Sequence, residues 1–349
     1  MRHLKFSEAI QEATIQSMRK DQNVIVVGLG VPDPKGIFGT TSGLTKIFGE
    51  QRVFDAPTSE NALSGITLGA AISGLRPIIT HQRVEFALLG IEQIINQAAK
   101  WSYQTAGKMC APIVIRLIIG KGWGQGPQHS QSLESWFAHI PGLKVVMPSC
   151  AYDAKGLLIS SVKDNNPVIF FEHRWLHSTE GVVPETDYEV EIGKAKVILP
   201  GEDLSIVTYG QMIPQALYCA RILSKLGISL EIVDLRSLRP IDEETVLKSV
   251  AKTGRILAID GGWPRCGIAS EVITLVAINI FDKLKKPPMR CALEDVPIPS
   301  TRALANLVYP SVQNILDKCQ VLLGTDFAIS DNELLESRDV PESAFMGPF

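Results

Sequence analysis

Short apolar runs alternate with longer amphipathic stretches along most of this chain. The runs "NVIVVG" (23–28), "RPIIT" (76–80), "PIVIRLIIG" (112–120), "KVVMPS" (144–149) and "PVIFFE" (167–172) are almost continuously apolar. Such runs suit strands buried on both faces of a parallel sheet. Between them, "LSGITLGAAISG" (63–74) predicts a helix rich in small side chains. "GIEQIINQAAKWSYQ" (90–104) sets Ile91, Ile94, Ile95, Ala98 and Ala99 at helical spacing. A short helix near "LESWFAHI" and the helix "DAKGLLISSVK" complete a first β/α block.

From about 175 to 200 the pattern breaks into turn residues with little helical period, which predicts a connection between domains. A second block follows. "LSIVTYG", "ISLEIVDL" and "RILAIDGG" predict strands, with helices at about 212–226, 242–252 and 267–281 and a closing helix in "SVQNILDKCQVLL". The fold class is therefore α/β, with two domains, each a mainly parallel sheet flanked by helices. The boundaries are 1–185, a linker at 186–200, 201–324, and an acidic, Pro-containing arm or tail at 325–349.

Composition removes several functions. The 349 residues carry a net charge of −3, which gives no electrostatic footprint for nucleic acid or an anionic membrane. The six cysteines contain no C-x-x-C pair, which argues against a zinc site or a disulfide framework and for a reducing compartment. The opening "MRHLKFSEAIQEAT" lacks an apolar core, and no run has the length of a membrane span. A cytoplasmic protein is expected.

Two stretches carry candidate chemistry. In "DAPTSENALSGITLGAAISGLRP" (55–77) a single acid, Glu60, precedes a run of small apolar residues. A carboxylate there is either solvated and favoured by the helix dipole, or paired, or used. Gly65, Gly69, Ala70, Ala71 and Gly74 would let another helix or chain approach closely, so a subunit interface is expected. In "GKGWGQGPQHSQS" (120–132), His129 follows a strand and four glycines. It is either a surface histidine in a flexible turn or an imidazole brought to a site at the sheet's carboxyl end. "GLGVPD" has Asp33 where a dinucleotide fingerprint needs its third glycine, and no Walker-type loop is present.

The motifs "DAPTSENALSGITLGAAISGLRPI", "EQIINQAAKW", "GPQHSQSLESWFAHIPGLKVVMPSCAYDAKGLL", "DNNPVIFFEH", "VDLRSLRPIDEETVLKSVAKTGR" and "DGGWPRCGIASEV" resemble the β subunits of thiamine-diphosphate-dependent 2-oxo acid dehydrogenase E1 components. Pyruvate and branched-chain E1 β are the best-known members. The resemblance runs in order over about residues 3 to 323. It implies a pyrimidine-binding domain followed by a transketolase-type C-terminal domain. It also implies an α2β2 heterotetramer whose α subunit holds the cofactor's diphosphate and Mg²⁺, since the G-D-G…N motif for that task is missing here.

In that family the residue matching Glu60 hydrogen-bonds N1′ of the aminopyrimidine and promotes loss of the C2 proton. Glu60 should then sit in a dry pocket with a raised pKa. His129, in the matching H-S-Q, would steady the intermediate or assist acyl transfer. Phe86 would line the aminopyrimidine pocket, with Gln82 nearby. A structural K⁺ would fall on the backbone carbonyls of Ile113, Ser161, Val162, Asp164 and Asn166. The implied reaction decarboxylates a small 2-oxo acid and passes the acyl group to the lipoyl domain of an E2 partner. Two alternatives remain at this point: a split transketolase-like carboligase acting on an aldehyde or sugar, and a non-catalytic subunit that stabilises its α partner.

The chain departs from the family in "ITHQRVEF" (79–86). Thr80 replaces an acid, and His81 and Arg83 are additions that either face solvent or make a more polar substrate site. Acids are also lost at Leu29 and Gly30, and Ala56 stands where threonine is usual.

Overall fold

The computed structural model describes residues 2–120 and 125–328. The expected arm from 325 onward lies outside the described residues beyond 328, as do 121–124 of the glycine-rich loop. The chain divides into two compact units. The first holds residues up to 120, then 136–192 and 238–240, and the second holds 125–135, 193–237 and the remainder.

The first unit is built on a seven-stranded sheet, in the order Ser237–Arg239, Lys144–Val146, Val168–His173, Val114–Ile119, Arg76–His81, Val24–Val27, Val53–Phe54. The pairs from Lys144–Val146 through Val53–Phe54 are all parallel. Alternate residues of these strands serve opposite faces. Ile78, Val114, Ile118 and Phe170 join Phe6, Ile10 and Leu157 in one core, beneath the helices Phe6–Lys20 and Ala151–Lys163. Ile79, Ile113 and Ile115 meet Ser64, Leu68 and Ile94 on the other side. Each fully buried large apolar side chain contributes about 1.5–3 kcal/mol, so both faces of the sheet stabilise the unit.

The helix Phe6–Lys20 is absent from the sequence reading. Its buried stripe is Phe6, Ala9, Ile10, Ala13 and Met18, a spacing that could have revealed it. Glu8 reaches back to accept from the Lys5 N–H at 2.8 Å and so closes its first turn. The predicted interdomain stretch also contains structure: Glu180–Val182 pairs antiparallel with His3–Lys5.

The helix expected over 90–104 is an unbroken helical run, but not a uniform α-helix. It resolves into 3₁₀ turns at Leu88–Gly90 and Ala98–Lys100, a π-helical turn at Gln93–Gln97 and a last α turn at Trp101–Gln104. A π turn inserts a residue and rotates the apolar stripe. Ile94 and Ala98 then both reach the side of the sheet that carries Ile113 and Leu68.

The second unit has a five-stranded sheet, in the order Met289–Cys291, Ile256–Ile259, Leu204–Thr208, Leu230–Asp234, Lys196–Leu199. Only the edge strand Lys196–Leu199 is antiparallel to its neighbour. The helices Met212–Ser224 and Val312–Leu323 supply much of its core through Ile213, Ala216, Ile315 and Leu316. Among the described residues no helix is long and apolar enough to cross a membrane.

Candidate active site

In the first unit the parallel strands end on one edge, and the loops leaving that edge carry the candidate side chains. The turn after Val24–Val27 is tightly fixed. A Cβ at Gly28 would come within 2.4 Å of the Thr80 carbonyl oxygen, so the two strand ends meet backbone to backbone. Gly30 has φ +75° and donates its N–H to Asp55 Oδ1 at 2.8 Å, while Gln82 Nε2 donates to the Leu29 carbonyl at 3.0 Å. Leu29 and Gly30, where the resemblance has acids, thus form a turn clamped by Asp55 and Gln82.

Glu60 is the first residue of the helix Glu60–Ile72, where the macrodipole favours a carboxylate. The turn Leu88–Gly90 presses onto that first helical turn. A Cβ on Gly90 would lie 2.9 Å from the Glu60 carbonyl oxygen and 2.4 Å from Ser64 Oγ, so only glycine allows the approach. The contact carries the short helix Val84–Ala87 to the same end, with Phe86 36% exposed. Glu60, Gln82 and Phe86 therefore share one edge of one unit. With the described residues of this chain alone, Glu60 is half-buried.

The two additions differ from each other. His81 ends the strand Arg76–His81 and is only 4% exposed, so it does not face solvent. Its Nε2 has no hydrogen-bond partner among the described residues. Burial lowers its pKa to about 4, so the ring is neutral near neutral pH. Arg83 is half-buried in extended backbone just before Val84–Ala87. Burial lowers its pKa, and the Glu85 carboxylate opposes that shift.

Sequence reasoning missed Arg174, which follows the strand Val168–His173 on the same edge. Its guanidinium stacks over the Phe38 ring at 4.4 Å. Its pKa falls to about 10, first through burial and then through the like charge of Arg83. Beneath this edge Arg116, in the middle of an apolar strand, is fully buried and bonded to Glu172 and Thr40.

The carbonyls proposed for K⁺ are partly engaged. Arg76 donates to the Val162 and Asp164 carbonyls at 2.9 and 3.1 Å, and the Ile113 carbonyl accepts from Val168 N–H at 2.9 Å. A guanidinium thus already brings positive charge to two of the five oxygens.

His129 belongs to the second unit. It ends the short turn Gly126–His129 and is half-buried. A Cβ at Gly126 would lie 2.6 Å from Ser300 Oγ, so this turn is closely packed where it begins. The same unit encloses another cluster that sequence reasoning missed. Tyr209 Oη lies 2.6 Å from Asp260 Oδ1 and 3.1 Å from Glu134 Oε1, with all three side chains buried. Asp260 also accepts from the N–H groups of Gly262 and Ala269 at 2.8 and 3.0 Å. A tyrosine has one hydroxyl hydrogen, so two such contacts need a second proton, which Glu134 supplies. Burial and the neighbouring Asp260 raise the Glu134 pKa to about 7.

Known proteins share the two domains of this chain. Residues 2–178 match the transketolase pyrimidine-binding domain, and residues 193–315 match the transketolase C-terminal domain. The chain is 44% identical over 324 residues to the β subunit of an acetoin:2,6-dichlorophenolindophenol oxidoreductase from Cupriavidus necator, covering 90% of this chain and 96% of that one. It is 42% identical over 311 residues to a pyruvate dehydrogenase E1 component β subunit from Rhizobium meliloti, covering 89% of this chain and 68% of that one. The corresponding Bacillus subtilis pyruvate dehydrogenase subunit is 39% identical, with 93% and 99% covered. In fold, it resembles a split-gene transketolase solved as an inactive β4 tetramer, with a TM-score of 0.76, 20% identity, and 92% and 98% of the two chains covered. By these matches over both of its domains, the chain belongs to the β-subunit family of thiamine-diphosphate-dependent 2-oxo acid dehydrogenase E1 components.

Proposed function

We propose that this chain works with an α subunit, in an α2β2 assembly, to decarboxylate a 2-oxo acid and pass the acyl group to a lipoyl domain. The observation that carries this reading is the placement of Glu60 at the mouth of its helix, with Phe86 brought to the same edge through the Gly90 contact. A carboxylate and an aromatic face are the donor set an aminopyrimidine ring needs. Thiamine diphosphate, when bound, supplies the electron sink that lets CO₂ leave.

This chain's part is acid–base chemistry and orientation. Glu60 holds and moves a proton at N1′ of the aminopyrimidine. Phe86 packs against that ring. Gln82 and Asp55 keep the Leu29–Gly30 turn in place beside it. His129 hydrogen-bonds the reacting oxygen and assists acyl transfer. The α subunit contributes the diphosphate and Mg²⁺ site and, by covering the half-buried Glu60, excludes water. The carbonyls of Ile113, Ser161, Val162, Asp164 and Asn166 belong to this proposal as a K⁺ cradle. Ile113, Val162 and Asp164 would offer their second lone pairs, since each already accepts a hydrogen bond. A cytoplasmic location goes with the same reading, since no disulfide joins any of the six cysteines.

The test is calorimetric titration of thiamine diphosphate with Mg²⁺ on the chain alone and on its complex with the α subunit. Binding by the complex only is expected. Tight binding by the isolated chain would contradict the shared site. No binding in either preparation would leave a stabilising, non-catalytic subunit.

A further inference from the structure

His129 sits in a segment of the second unit that is tied down along its length. At the start, a Cβ at Gly126 would lie 2.6 Å from Ser300 Oγ. Around His129 itself, Gln131 Nε2 donates to the Gln128 carbonyl at 3.0 Å and closes the turn. Ser130 and Leu133 are buried. At the end, a Cβ at Gly262 would stand 3.5 Å from the Ser132 carbonyl oxygen, and Glu134 Oε1 lies 3.1 Å from Tyr209 Oη. Tyr209 and Asp260 follow the neighbouring parallel strands Leu204–Thr208 and Ile256–Ile259, so both leave the same edge of the sheet. Asp260 is where a charge is favoured. It accepts from the N–H groups of Gly262 and Ala269, and Ala269 lies in the first turn of the helix Ile268–Ile280, whose dipole suits an anion. Glu134 Oε2 has no hydrogen-bond partner among the described residues. The proton therefore rests on Glu134, and the hydrogen bonds run one way, from Glu134 to Tyr209 to Asp260.

We infer that Glu134, Tyr209 and Asp260 are positioning residues, which hold the His129 segment against the second sheet and so fix where the imidazole acts. Each works through His129 and not at the reacting atoms. The assignment rests on the function proposed above, in which His129 bonds the reacting oxygen and assists acyl transfer. An apolar side chain at 134 would bury as readily but would set no direction. A hydrogen bond holds both distance and angle, and a buried polar chain of this kind favours one arrangement over its neighbours. Only four residues separate Glu134 from His129, and two of them, Ser130 and Leu133, are buried, so a shift at one end is carried to the other.

The test is a double-mutant cycle in the complex with the α subunit. Tyr209→Phe keeps the ring and removes the hydroxyl link. It should lower kcat roughly ten- to hundredfold, the scale of a displacement near 1 Å, with KM little changed. In a His129→Ala background the same substitution should cost less than about twofold, because the imidazole it positions is already gone. Equal costs in the two backgrounds would mean that Tyr209 serves the fold and not His129, which overturns the assignment, as would an unaltered kcat in Tyr209→Phe. Glu134→Ala should resemble Tyr209→Phe, and Glu134→Gln, which can still donate to Tyr209, should recover most of the loss. A glutamine variant no better than the alanine one overturns the hydrogen-bonded link. A second arm needs no turnover: the rate at which diethyl pyrocarbonate modifies His129 in the same complex, read by peptide mass spectrometry. Tyr209→Phe should raise that rate at least about threefold, by letting the segment open locally, while the exposed His3 of the first unit keeps its own rate. An unchanged His129 rate overturns the proposal. Failure of the functional reading shows separately, as no turnover of any 2-oxo acid, and the modification arm then still decides whether the three residues hold His129.

Discussion

Arg116 grips Glu172 with both ends of its guanidinium, Nε to Oε1 at 2.5 Å and Nη2 to Oε2 at 2.9 Å, and neither side chain is exposed at all. Thr40 Oγ1 accepts from Arg116 at 2.7 Å, and His177 Nε2 lies 3.2 Å from Glu172 Oε2. Burial lowers the His177 pKa, and the hydrogen bond and charge of Glu172 oppose that shift. Burial alone would raise the Glu172 pKa, but the Arg116 charge and the bonds from His177 and Arg116 bring it below the ordinary value.

A folded pKa below the unfolded one means stability that is present above the unfolded pKa and lost as pH falls through the folded one. Glu172→Gln leaves Arg116 buried without its counter-charge. It should cost about 3–5 kcal/mol, the usual penalty for breaking a buried pair from one side. Denaturant unfolding of the wild type and variant at pH 7 measures it. A loss below about 1 kcal/mol would mean that the pair is dispensable.

Glu134 has the opposite sign. Its folded pKa is about 7, above the model-peptide range, so its contribution is complete below the unfolded pKa and declines as pH rises through 7. The full swing is roughly 3 kcal/mol, from 1.36 kcal/mol per pH unit. Glu134→Gln keeps a neutral group that can donate to Tyr209. The variant should be relatively more stable than the wild type at pH 8 than at pH 5. Parallel pH dependences for the two proteins would sink the protonated assignment.

Glu60→Gln should leave the melting temperature nearly unchanged, because the side chain is half-buried at a helix end. Turnover by the complex should fall by about 10²–10⁴-fold, the usual contribution of a positioned proton-transfer group. Full activity in the assembled variant would remove the catalytic role from this chain.

Gly90→Ala adds a methyl group where Ser64 Oγ and the Glu60 carbonyl already stand. The turn Leu88–Gly90 must then lift from the helix, displacing Glu60 and Phe86 relative to each other. We expect a drop of about 100-fold in kcat, the scale of a misplacement near 1 Å, with far-ultraviolet circular dichroism unchanged. Unaltered kinetics would show that this contact does not position the site.

What the sequence determined by itself was whatever depends on local pattern. The apolar runs at 76–80, 112–120 and 167–172 became the adjacent strands Arg76–His81, Val114–Ile119 and Val168–His173, because a strand buried on both faces must be apolar throughout. The ordered motifs carried the family, because they run in order through both domains.

Tertiary structure decided the rest. Arg116 reads as an interruption in an apolar run, and only the register that sets it between Thr80 and Phe170 shows a charge sealed against Glu172. Periodicity at 90–104 matched a plain helix, but packing against the sheet imposed a π turn. That Arg83 and Arg174 follow strands on either side of Val114–Ile119 has no local signal. It arises because two strands far apart in the chain run parallel on either side of a third, and a parallel sheet delivers all its strand ends to one edge.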